Sequence, residues 1–125
     1  LVIASALAIE TVKPLIYVRS KPKDYGTSKS VEGKIHDGMK VVMIDDVATT
    51  GGSVLNATKS LTEVNVPVKD AYVIVDRMEG ATEALQELGV KMHSILNILQ
   101  IAEVLYEQKL IGLDILDKVK QQISK

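Results

Sequence analysis

Four short runs rich in apolar and β-branched residues, LIYVR, KVVMI, DAYVIVDR and KMHSIL, constrain this chain more than any other feature. Each is too short for an ordinary helix and reads as a strand buried in a sheet. The last three are separated by segments with helical spacing. Over 52–65, Val54, Ala57, Thr58, Leu61 and then Val64 or Asn65 recur every three or four residues before Pro67 intervenes, and GATEALQELGV reads as a helix closed by Gly89. Strands that alternate with helices return to the same end of a sheet and so run parallel. The expectation is an α/β fold, a mostly parallel twisted sheet flanked by helices on both faces.

The polar stretch SKPKDYGTSKSVEGKIHDG reads as an exposed loop with a short strand around Val31, and two helices over 99–108 and 114–123 finish the chain. Their apolar stripe, including Ile101, Val104, Leu105, Ile115 and Val119, is core or interface. The opening LVIASALAIETVKP is apolar on nearly every side, stops at Pro14 and reads as a buried helix. It lacks the basic leading region of a signal peptide, and it is too short to span a bilayer. Without a cap or an initiator methionine, the chain is expected to begin inside a larger fold. With 125 residues and 46% hydrophobic content, 1–125 is expected to be a single core domain, incomplete at its amino terminus. A formal net charge of −1 gives no global field to recruit nucleic acid or an anionic membrane, so any anion recognition is local. The absence of cysteine excludes disulfides, thiolate metal sites and cysteine nucleophiles and fits a soluble cytoplasmic protein.

The chemistry concentrates in KVVMIDDVATTGGSVLNA, over 40–57. An acidic pair at a strand end is ordinarily turn chemistry or preparation for a helix cap. Here it is followed at once by Thr49, Thr50, Gly51, Gly52 and Ser53 and then by a helix. Small residues let backbone N–H groups converge on an anion, hydroxyls add donors, and the positive end of the helix points at the same place. The spacing is neither a Walker loop nor the dinucleotide fingerprint. Asp45 and Asp46 would repel a phosphate they faced, so they address neutral hydroxyls or a divalent ion. A sugar 5-phosphate meets both demands.

The run VVMIDDVATTGGS resembles the phosphoribosyl-pyrophosphate (PRPP) motif of the type I phosphoribosyltransferases. YVRSKPKDYGTSKSVEG resembles the catalytic loop of the orotate phosphoribosyltransferases, and VIVDRMEG the strand bearing their base-reading arginine; with LGVKMHSIL, the match extends to about Leu110. The resemblance implies the type I fold and the reaction of orotate with PRPP to give orotidine 5′-monophosphate and pyrophosphate in pyrimidine synthesis. It implies Mg²⁺ carried on the PRPP with no direct protein ligand, and a homodimer. Asp45 and Asp46 match the acidic pair on the ribose hydroxyls, and Val47, Ala48, Thr49, Thr50, Gly51, Gly52 and Ser53 continue the PRPP-binding stretch. Thr49 also matches a position touching orotate, and Arg77 matches the arginine that pairs with it, although Arg77 beside Asp76 could equally be a plain ion pair. Arg19, Lys21, Lys23 and Tyr25 match the loop that reaches pyrophosphate across the dimer, with Arg19, Lys23 and Tyr25 counted as catalytic. The family commonly has a lysine directly after the loop arginine; this chain has Ser20, with Lys21 one position on. It also normally has an amino-terminal portion carrying a pyrophosphate loop.

Other readings are a phosphoribosyltransferase for another base and a non-catalytic PRPP-binding regulator. A receiver domain also ends a strand in two aspartates, but there the pair closes the first strand, and here too few βα units follow. His36 and His93 have no ligand-spaced partner and receive no catalytic role.

Overall fold

The computed structural model of the chain describes residues 1–19 and 30–124. Its centre is a parallel sheet of order β3-β4-β5, formed by Val41–Ala48, Val68–Asp76 and Lys91–Asn97. The helices α2 (Gly52–Glu63) and α3 (Ala81–Glu87) make the two crossovers. The α/β expectation therefore holds, and for the expected reason: each strand is an apolar run that only a crossover can return in parallel.

Register places Met43, Ala71 and Met92 on one face of the sheet, in line with Asp45, Val73 and Ser94. That face holds the core, where Ala71 packs with Val54 and Leu61 of α2, Leu85 of α3, and Val66 and Val90 from the connections. Leu85, Val66 and Val90 are essentially sealed from solvent. The opposite face is only partly covered, leaving Val42 59%, Tyr72 44% and Ile95 73% exposed.

Helix ends follow from local chemistry. α2 stops at Glu63 because Asn65 adopts a left-handed φ of 59° and Val66 N–H turns back to Leu61 O. That turn shifts the phase of the apolar pattern, so Val66 enters the core while Val64 and Asn65, expected on the helix face, are exposed. Gly89, at φ 73°, closes α3 as expected, with its N–H on Gln86 O and that of Val90 on Leu85 O. β5 runs straight into α4 (Ile98–Glu107) through a capping box. The Asn97 side chain accepts from Gln100 N–H, and the Gln100 side chain accepts from Asn97 N–H. In α4 and α5 (Leu113–Ile123), the buried positions are Ala102 and Leu116, while Val104 and Ile115 face outward.

Three expectations need correcting. LIYVR is not a strand of the parallel sheet: only Tyr17–Val18 (β1) is extended, paired antiparallel with Val31–Glu32 (β2). Gly33 fits the pairing, since at φ 121° it lies so close to the segment leading into β1 that a Cβ there would sit 2.9 Å from Leu15 O. The opening helix forms as α1 (Val2–Thr11) and touches β3, but it buries no residue, and Ile9 is 79% exposed. Its apolar residues surround the axis, so no single stripe commits it to one neighbour. Lastly, β3 does not end at Ile44 but continues through the aspartates to Ala48. No helix among the described residues is long and apolar enough to cross a membrane.

Candidate active site at the strand ends

The carboxyl ends of the three parallel strands lie level, with Ala48 beside Asp76 and Asp76 beside Asn97. The ladder continues one step further, where Arg77 N–H donates to Ala48 O at 2.9 Å. Arg77 thus leaves the sheet directly alongside the Thr49–Gly51 turn, the position at which open α/β sheets bind ligands.

Asp45 and Asp46 precede this end on adjacent positions of β3, with their carboxyls close enough to share a hydrogen bond. Asp46 N–H donates to Asp45 Oδ1 at 3.0 Å, and Val47 N–H donates to Asp46 Oδ1 at 2.9 Å. Their environments push the two acids apart. Partial burial raises the Asp45 carboxyl above its ordinary value of 3.8, against the lowering effect of the Asp46 N–H, and the neighbouring Asp46 carboxylate raises it further. Asp46 is exposed, and the Val47 N–H holds its carboxyl below 3.8. The strand end therefore offers one firmly ionised acceptor and one that protonates more readily.

Downstream, Gly51 is the N-cap of α2, which has neither a side-chain cap nor an acidic residue in its first turn. Its first N–H groups are therefore free of the side-chain partner that the capping box supplies to α4. This is the arrangement that takes an anion. Thr49 is half-buried, and Thr50 and Ser53 are exposed. The two glycines have different jobs. Gly51 is buried at φ 81°, and a Cβ there would lie 3.2 Å from Ala81 Cα, the backbone on which the loop sits. Gly52 has ordinary geometry, and a Cβ would meet only Thr50 Oγ1 at 3.9 Å. Fold alone therefore requires Gly51 but not Gly52. We expect Gly51→Ala to cost about 1–2 kcal/mol in chemical denaturation. Gly52→Ala should leave stability within about 0.5 kcal/mol yet weaken binding of a phosphate-bearing ligand roughly tenfold by crowding the bare backbone.

The plain ion pair with Asp76 that the sequence left open for Arg77 is not formed, and Arg77 pairs elsewhere. Asp76 Oδ1 accepts from Met78 N–H at 2.8 Å, and Arg77 Nη2 forms an ion pair with Glu79 Oε1 at 2.6 Å. Glu79 also accepts from Gln122 Nε2 of α5 at 3.2 Å. Neither Glu79 nor Gln122 was singled out from sequence. The signal, had it been legible, was the DRMEG turn, in which a left-handed Met78 (φ 57°) sets residues 77 and 79 together.

Of the loop cations, Arg19 ends the β1–β2 ribbon, where Nε donates to Glu32 Oε1 at 2.6 Å, Nη2 forms an ion pair with the same oxygen at 2.6 Å, and the backbone N–H donates to Ser30 O. Its partners are thus ribbon residues and not the strand-end group. Lys21, Lys23 and Tyr25 lie outside the described residues. His93 sits on the open sheet face, 2.8 Å from Asp70 Oδ1 and stacked on Tyr72 at 4.5 Å between ring centroids. Among the described residues, no cluster of three or more His, Cys, Asp or Glu side chains is placed to hold a metal ion.

Comparison with known proteins gives these features a context. Residues 1–108 match the phosphoribosyl transferase domain family. Orotate phosphoribosyltransferase of Cenarchaeum symbiosum is 48% identical over 120 residues, covering 96% of this chain and 60% of that protein. The crystal structure of orotate phosphoribosyltransferase from Aeropyrum pernix matches with a TM-score of 0.70 at 41% identity, covering 82% of this chain and 55% of its own. The Mycobacterium tuberculosis H37Rv enzyme of the same name, in complex with PRPP, matches with a TM-score of 0.59 at 29% identity over 69% of this chain and 48% of its own. The chain thus spans about half to three fifths of the length of these proteins.

Proposed function

This chain belongs to the phosphoribosyl transferase domain family, and on that footing we propose that its protein transfers the phosphoribosyl group of PRPP to orotate, giving orotidine 5′-monophosphate and pyrophosphate. The observation that carries the reading is the juxtaposition at the end of β3. An uncapped helix start, an acidic pair and an arginine one backbone hydrogen bond away lie at one edge of the sheet. The names of the related proteins, and the PRPP bound in one of them, point to the same substrates.

In this reading the 5-phosphate of PRPP sits on the N–H groups at the start of α2, with hydroxyls from Thr49, Thr50 and Ser53 around it. The ribose 2- and 3-hydroxyls donate to Asp45 and Asp46. As the bond from C1 to pyrophosphate breaks and that to the base nitrogen forms, C1 becomes electron-poor. A fixed negative pair beneath the ribose stabilises that charge more than it stabilises the ground state. Arg77 receives the orotate carboxylate through two parallel N–H donors, and Thr49 touches the base. The pyrophosphate leaves toward Arg19, Lys21, Lys23 and Tyr25 of a neighbouring subunit, so the active unit is a homodimer in the cytoplasm. Mg²⁺ would arrive on PRPP, held by the oxygens of PRPP itself without a direct protein ligand, and the acidic Asp45–Asp46 pair at the ribose is compatible with a cation beside it. Carried on PRPP, magnesium would supply charge neutralisation for the departing pyrophosphate.

The test is orotate loss followed by its ultraviolet absorbance. Loss that requires both PRPP and Mg²⁺, with adenine, hypoxanthine and uracil unreacted, supports the reading. PRPP binding without loss of any base would replace it with a regulatory one.

The raised Asp45 carboxyl adds a pH dependence whose sign is fixed. Protonated Asp45 no longer serves as a full acceptor, so the KM for PRPP rises as pH falls into the acidic range, at a higher pH than an ordinary aspartate would give. Asp46→Asn removes the neighbouring charge and should move that rise to lower pH. A pH series of initial rates in both proteins checks it, and an unmoved profile would show that Asp45 is not the titrating group.

A further inference from the structure

The turn after β4 holds a carboxylate that the reaction has not used. The Glu79 side chain is the better buried of its pair, at 24% exposure against 45% for Arg77, and it is braced from the far side by Gln122 of α5. The turn itself is fixed by the Asp76–Met78 hydrogen bond and by Gly80 at φ 99°. Glu79 is therefore the anchored partner, and Arg77 is the one it holds. It engages Arg77 through Nη2 alone, leaving Nε and Nη1 without a partner among the described residues.

We infer that Glu79 is a positioning residue for base recognition: with Gln122 it pins one nitrogen of the Arg77 guanidinium so that the remaining N–H donors face a planar carboxylate in the base pocket. This deepens the orotate reading and rests on it. An arginine held by one edge has already lost much of the side-chain freedom that binding would otherwise have to remove. It also ties α5, the element farthest from the loop in sequence, to the choice of base. Glu79 touches no substrate, so its effect falls on orotate affinity and leaves PRPP alone.

Kinetics of Glu79→Ala, Glu79→Gln and Arg77→Ala/Glu79→Ala test this. Glu79→Ala should raise the KM for orotate roughly tenfold while kcat and the KM for PRPP change less than about twofold. Glu79→Gln keeps an acceptor oxygen in the same place and should recover much of that loss. Adding Glu79→Ala to Arg77→Ala should cost nothing further, because the residue acts only through the arginine. A Glu79→Ala protein with unchanged orotate KM overturns the inference, as does a loss that simply adds to that of Arg77→Ala, or one shared equally by PRPP and accompanied by a lower melting temperature. If the unsubstituted protein does not consume orotate, the proposed function fails and this inference with it. Orotate turnover with an indifferent Glu79 removes this inference alone.

Discussion

Replacing Arg77 with alanine is expected, on the proposed function, to raise the KM for orotate by about one to two orders of magnitude and to leave the KM for PRPP within about a factor of two. The size follows from the loss of a charge-assisted, two-point contact, about 1.5–3 kcal/mol. The selectivity follows from position. Arg77 leaves the end of β4, and its hydrogen bond to Ala48 O at the end of β3 is made by the backbone N–H, which alanine retains. Stability should barely change, since the side chain is 45% exposed and its pair with Glu79 is a surface ion pair worth at most about 1 kcal/mol. Arg77→Lys should fall between the two, because an ammonium cannot match both carboxylate oxygens in one plane. The substitution should also narrow the preference for orotate over uracil, which lacks the carboxylate. Steady-state kinetics with each substrate varied in turn decides the matter. A PRPP KM that rises in step with that of orotate would place Arg77 at the phosphate and undo the assignment.

The second large effect belongs to the acidic pair. Asp46→Asn should lower kcat/KM for PRPP by about two orders of magnitude with orotate binding intact, since it removes the firmly ionised member and half of the negative charge beneath the ribose. Asp45→Asn should lose activity comparably but behave differently in melting. Asp45 has a folded-state carboxyl raised above its unfolded value, so its ionised form costs stability at neutral pH, and that cost is relieved as pH falls through the raised pKa. An asparagine keeps the acceptor for Asp46 N–H without the charge. Asp45→Asn is therefore expected to melt slightly higher than the unsubstituted protein at neutral pH, and to lose that advantage in acid. Thermal melts at neutral and acidic pH check the sign. An Asp45→Asn protein that melts lower at neutral pH would mean that the carboxylate contributes to the fold rather than straining it.

What could be read from the sequence divides along a physical line. The parallel sheet was legible because KVVMI, DAYVIV and KMHSIL are short apolar runs separated by helix-length spacers, and a spacer of that length leaves little choice but a crossover. The glycine-rich turn into α2 was legible because its glycines and hydroxyls are consecutive, so the signal is local; its use as an anion cradle is the proposal. Facts that depend on a single left-handed residue were not legible. Asn65 moves the core position from Val64 to Val66, and Met78 swings Arg77 away from Asp76 toward Glu79. Partner choice was equally hidden. LIYVR has a strand composition, but nothing in it says that Gly33 will let β2 lie against it, and the apolar α1 does not encode which surface it meets.

The most direct test of the central claim is a competition in one vessel: the protein with PRPP, Mg²⁺ and equal concentrations of orotate, adenine, hypoxanthine and uracil, its products identified by mass. The account predicts orotidine 5′-monophosphate in overwhelming excess, with one pyrophosphate released per nucleotide formed. A product mixture dominated by a purine nucleotide or by uridine 5′-monophosphate would contradict it.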